Sequence, residues 1–120
     1  MSFDIRDGIL YKYTGNDAVV FVPPGVKTIF SNAFRSNNNI QTIIFPIGVE
    51  SLGSNAISFC NGLKQLFFPD TIKRAADDSF SCSTLEELHF PSIKAWLNCP
   101  LIIKNYKSSL YIDRKNLKEN

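Results

Sequence analysis

The side chains best suited to chemistry lie close together in the segment Glu86-Glu87-Leu88-His89. It supplies two carboxylates and the only imidazole of the sequence. In an extended strand, alternate residues share a face, which would put Glu87 beside His89 as an acid–base pair. Acid–base catalysis also needs a reacting group within hydrogen-bond reach and a concave site to hold it. No nucleophile falls into register beside the pair, and no glycine-rich phosphate loop or paired-carboxylate motif occurs elsewhere. Three cysteines (Cys60, Cys82 and Cys99) and one histidine are too few for a zinc ribbon or finger with paired ligand spacing. We therefore expect no enzymatic activity, no metal, no cofactor and no small-molecule substrate.

A repeat positions these residues. Four short apolar runs end in proline: Val20-Phe21-Val22-Pro23, Ile43-Ile44-Phe45-Pro46, Leu66-Phe67-Phe68-Pro69 and Leu88-His89-Phe90-Pro91. The prolines stand 23, 23 and 22 residues apart. A fifth run, Leu110-Tyr111-Ile112, keeps the beat, with Asp113 in the proline position. The second half of each unit repeats as well. Gly25-Val26-Lys27-Thr28-Ile29 matches Gly48-Val49-Glu50-Ser51-Leu52, and Thr71-Ile72-Lys73-Arg74-Ala75 follows. Asn32-Ala33-Phe34 matches Asn55-Ala56-Ile57 and Asp78-Ser79-Phe80. Asn37, Cys60 and Cys82 each precede an apolar residue (Ile40, Leu63, Leu85) by three positions. We expect this column to hydrogen-bond the backbone of its turn, and Cys99 to fill core space.

A period of 22–23 residues lies in the leucine-rich-repeat range. A short strand, a proline that ends its ladder and a turn return the chain to its start. Such a unit buries its apolar face only by stacking on its neighbours. The spelling Ile43-Ile44-Phe45-Pro46, Val49, Leu52, Ala56-Ile57, Cys60 and Leu63 resembles the BspA-like leucine-rich repeat family. The segment from Phe3 to Tyr13 resembles the lead-in that opens such arrays. The resemblance covers roughly residues 3–113. It implies an α/β solenoid, a right-handed superhelix with one parallel sheet of short strands. It also implies adhesion or host contact, since family members are mostly secreted or surface-attached.

The expected organisation is an N-terminal hairpin cap over 1–17, about 4.5 repeats over 18–113 and a polar tail over 114–120. Asp7-Gly8 between two alternating runs is a hairpin signal. The fourth unit is degenerate: Ile93 and Trp96 keep the beat, but Leu97-Asn98-Cys99-Pro100-Leu101 replaces the Ala-Phe turn. Asp77-Asp78 is expected to cap a short helical turn.

The apolar beat turns Val20, Val22, Ile43, Phe45, Leu66, Phe68, Leu88, Phe90, Leu110 and Ile112 inward. The outward column then reads Phe21, Ile44, Phe67, His89, Tyr111. Two residues earlier stands a second outward column: Val19, Thr42, Gln65, Glu87, Ser109. Solenoids bind through such ladders, and aromatic anchors dominate interface energetics. The first column would expose roughly 400–500 Å², against about 300–600 Å² for the largest patch of an ordinary monomer. Sheet packing or cover by the chain's own tail therefore stand as alternatives to partner binding. Since a flat ladder makes no concave pocket, Glu87 and His89 are expected to belong to a binding surface.

The chain has 120 residues, 44% hydrophobic and 20% charged, the balance of one globular domain. Its net charge of +2 lacks the basic excess of a dedicated nucleic-acid binder. The segment from Leu101 to Asn120 is locally basic, with Lys104, Lys107, Arg114, Lys115 and Lys118 against Asp113 and Glu119. It offers a weak nucleic-acid contact as a minor alternative. Charges at Asp4, Arg6 and Asp7 interrupt any apolar leader, and no apolar run is long enough to span a membrane. With an odd cysteine count, the expected setting is cytoplasmic. The expected function is a non-enzymatic protein-binding module, in concrete form a small inhibitor or adaptor. The alternatives are a self-associating unit, pairing as a homodimer through the edge strand at Leu110–Ile112, or a fragment of a longer adhesin-type array.

Overall fold

The computed structural model describes residues 2–76, 79, 84–98 and 109–112. Two antiparallel strands, β1 (Phe3–Arg6) and β2 (Ile9–Tyr13), open the chain as a hairpin. Asp7 and Gly8 form its turn with φ of 52° and 78°. Both values lie in the left-handed region that an Asp-Gly turn supplies. A coil follows for each repeat. The first series of strands is β3 (Val19–Phe21), β5 (Thr42–Ile44), β7 (Gln65–Phe67), β9 (Glu87–Phe90) and β10 (Ser109–Ile112). These five pair in parallel in the order β10-β9-β7-β5-β3. The register is that of the sequence repeat: Phe21 opposite Ile44, Ile44 opposite Phe67, Phe67 opposite His89, and His89 opposite Tyr111.

The solenoid carries a second sheet where one was expected. The strands β4 (Thr28–Ile29), β6 (Ser51–Leu52) and β8 (Arg74–Ala75) continue in parallel from the hairpin, in the order β1-β2-β4-β6-β8. Each coil returns through an extended dipeptide at the same height, so these dipeptides also fall one strand spacing apart. Their backbones pair: the amides of Glu50 and Lys73 donate to the carbonyls of Lys27 and Glu50.

Helix is scarce. Among the described residues the one α-helix is α1 (Ile93–Leu97), N-capped by the Ser92 hydroxyl, which accepts from the Ala95 amide. In the regular units the chain turns instead of winding, because Asn32 and Asn55 adopt left-handed φ of 65° and 55°. Asparagine enters that region more readily than most residues. The helix also corrects the fourth unit's beat. Ala95 and Ser92 are buried, but Ile93 is 42% exposed, since the helix starts at that residue and turns it outward.

The core lies between the two sheets. Val20, Val22, Ile43, Phe45, Leu66, Phe68, Leu88 and Phe90 are all buried from one side, and Ile29 and Leu52 from the other. The turn residues Ala33, Phe34, Ala56 and Ile57 fill one end of this space. Leu10 and Tyr13 of the hairpin close its first coil, and the Tyr13 ring packs at 5.6 Å from Phe34. Burial pushes the Tyr13 hydroxyl above its ordinary pKa.

The recurring polar column does tie turns together. The Asn37 side-chain amide donates to the Gly15 carbonyl, and its Oδ1 accepts from the Asn39 amide. One coil on, the Cys60 thiol donates to the Phe34 carbonyl at 3.0 Å. Cys82, Cys99, Asp77, Asp78, Phe80 and the basic segment 101–108 and 113–120 lie outside the described residues.

Candidate interaction face

Parallel, in-register strands stand about 4.8 Å apart, which is also a comfortable distance between stacked rings. The outward column uses this coincidence. Phe67 stacks on His89 at 4.1 Å and 10°, and His89 on Tyr111 at 4.7 Å and 10°. The imidazole is therefore held between two aromatic rings. Toward the first coil, Ile44 replaces a ring and Phe21 ends the column. Both ends are the most open, Phe21 at 66% and Tyr111 at 46% exposed, while Ile44, Phe67 and His89 are half-buried by their neighbours.

The second column is polar at its centre and forms a hydrogen-bonded chain. The Thr42 hydroxyl donates to Gln65 Oε1 at 2.9 Å, and Gln65 Nε2 donates to Glu87 Oε1 at 2.9 Å. His89 Nε2 meets the same Glu87 oxygen at 2.8 Å. Because these two bonds stabilise the ionised carboxylate, that of His89 more than that of Gln65, Glu87 titrates below its ordinary range. The carboxylate thus accepts, and the imidazole must carry its proton on Nε2. Thr42 points into this network and is 9% exposed, although its register alone marks it as a surface residue. Val19 and Ser109, at the two ends, are exposed.

Sequence reasoning missed the relief of this face. A shallow groove of about 350 Å³ opens at the end of the ring column, lined by Phe67, Phe68, His89, Phe90, Pro91, Tyr111 and Ile112. It corrects the expectation of a flat ladder. The strand alternation continues outward into Pro91, whose missing amide ends the ladder, and that step was the available signal. The groove walls are apolar apart from the imidazole and the phenol, and bring no nucleophile to Glu87 or His89. Among the described residues, no three His, Cys, Asp or Glu side chains gather as a metal site, and no helix is long and apolar enough to cross a membrane.

The basic residues of the second half-units do not form a continuous stripe. Lys73, exposed, pairs with half-buried Glu50 at 3.6 Å, so the one acidic member of that ladder neutralises its neighbour.

Comparison with known proteins agrees with this architecture. A model of the BspA type leucine-rich repeat region (6 copies) matches residues 5–112. No curated protein matches significantly. Among solved structures, a leucine-rich repeat protein from Bacteroides capillosus is similar at 21% identity and a TM-score of 0.67, covering 92% of this chain and 91% of its own. The T. pallidum leucine-rich repeat protein is 19% identical with a TM-score of 0.55, and this chain, matched over 71%, spans 46% of its length. A leucine rich cell surface protein from Faecalibacterium prausnitzii is 21% identical with a TM-score of 0.51, matched over 92% of this chain and 37% of its own. With nearly the whole chain under the family model and the same coil in these structures, this protein belongs to the BspA type leucine-rich repeat family.

Proposed function

We propose that this chain is a non-enzymatic binding module that engages a partner protein through the outward face of the β10-β9-β7-β5-β3 sheet. The observation that carries this reading is the ring column, which stays open at both ends and beside the groove. A solvated sheet face has no need of three rings and an imidazole in register, and Phe21 and Tyr111 at the ends of the column remain exposed. Leucine-rich repeat proteins commonly work as interaction or surface adhesin-like proteins. A small inhibitor or adaptor is the concrete form proposed here.

Affinity capture on the immobilised chain tests this. Wild type retains a partner from its native cell, and Phe21→Asp with Tyr111→Asp abolishes retention with the thermal midpoint nearly unchanged. Retention by the double variant, or its unfolding, sinks the reading. Phe67 is a poorer probe than its register suggests, because it is half-buried inside the column whereas Phe21 and Tyr111 are exposed at its ends.

A second reading is self-association. Among the described residues, β3 and β10 each pair on one side, leaving two sheet edges of the kind that recruit another strand. The same edges suit a segment of a longer adhesin-type array; the similar Faecalibacterium protein is named as a leucine rich cell surface protein.

A further inference from the structure

The proposed binding face carries one formal negative charge among its ten outward positions, and its geometry is fixed. Among the described residues, Glu87 Oε1 takes two bonds, from Gln65 and His89. Among the described residues, no hydrogen bond or ion pair reaches Glu87 Oε2. The Gln65 amide is oriented from its far end by Thr42, so the carboxylate sits at the end of a braced chain instead of swinging freely. Its side chain keeps 30% of its surface open to solvent. A charged acceptor with one oxygen braced and the other unused is prepared for a donor from outside.

The groove begins one alternate residue along the same strand. Glu87 and His89 are i and i+2 of β9, and His89, Tyr111 and Pro91 line the groove. An extended chain laid along β9 has the same rise of about 3.3 Å per residue. Its own alternate side chains therefore reach the carboxylate and the groove together.

Resting on the reading above, we propose that this face takes an extended segment of a partner protein bearing an arginine or lysine two residues from an apolar side chain. The cation binds at Glu87 Oε2, and the apolar side chain lies in the groove between Tyr111 and Pro91. Charge complementarity selects this occupant. An acidic segment or a nucleic-acid backbone would set its negative groups against Glu87, at a penalty that like charges carry in any partly desolvated interface.

Panning a phage-displayed library of random linear peptides against the whole folded chain tests the proposal. The expected result is enrichment of peptides with Arg or Lys two positions from an apolar residue. Their synthetic counterparts should lose about tenfold in affinity on Glu87→Gln, the scale of one charged hydrogen bond, and should weaken with added salt. Glu87→Gln keeps the shape of the side chain, and circular dichroism checks that the fold is intact. Peptides that lose binding on Tyr111→Asp yet lack a basic residue, or ignore Glu87→Gln, overturn this inference while leaving the face as the binding surface. Peptides indifferent to every face substitution, or no enrichment, overturn the inference and count against the face as well.

Discussion

At the scale of single residues, Glu87 shows how a repeat manufactures a functional group. Glutamate on a lone strand would be mobile and fully hydrated. Here its register neighbour supplies an amide, and the residue two along supplies an imidazole, both at hydrogen-bond distance. The consequence for stability has a definite sign. A carboxyl whose folded pKa is depressed contributes stability that is complete above its unfolded pKa of about 4.3 and is lost as pH falls through the folded value. Thermal midpoints followed from neutral to acid pH should therefore fall more steeply in wild type than in Glu87→Gln below about pH 4. Parallel acid limbs in the two proteins would contradict the assignment. His89 and Phe67 were legible as neighbours from the column alone. The burial of Thr42 was not, because it depends on how far the Gln65 amide reaches across the strand gap.

At the scale of the elements, the coils approach each other closely where glycine permits it. A Cβ on Gly62 would stand 2.8 Å from the Asn38 carbonyl oxygen of the preceding coil, a backbone atom with little freedom to yield. Gly62→Ala should therefore destabilise the fold by about 1–3 kcal/mol, the usual cost of overpacking. Urea unfolding measures it, and an unchanged midpoint would mean the coils can slide apart there. The longer strands were readable in advance because each carries three alternating residues, closed by proline in the first four units. The second sheet was not, since Thr28-Ile29 and Arg74-Ala75 are too short for alternation to register. The outward turn of Ile93 escaped for a different reason. Its unit keeps the apolar spacing but sets a Ser92-capped helix where the second unit has the Gly48 turn and the Ser51-Leu52 dipeptide, and the helical winding turns Ile93 out.

At the scale of the whole molecule, the two halves of the reading separate. The fold follows from the period, because only a coil of constant length keeps like residues in register over 23, 23 and 22 residues. The partner does not follow from it, because every outward column is shared by packing and recognition alike. The open edges at β3 and β10 decide between the leading reading and self-association. Light scattering behind size exclusion should give the monomer mass at both dilute and millimolar concentrations. A mass that climbs with concentration would favour strand-edge pairing between copies.

The parallel ladders also make the molecule mechanically anisotropic. Backbone hydrogen bonds lie across the strands, so in both sheets they run along the stacking direction, from β3 to β10 and from the hairpin to β8. A tension applied from the first coil toward the last would load those bonds lengthwise and a few at a time, peeling coils off singly. The same force applied along the strands would shear a whole ladder at once and meet far greater resistance. A partner gripping the ring column spreads its load over every strand of that sheet at once, so no single coil bears it alone.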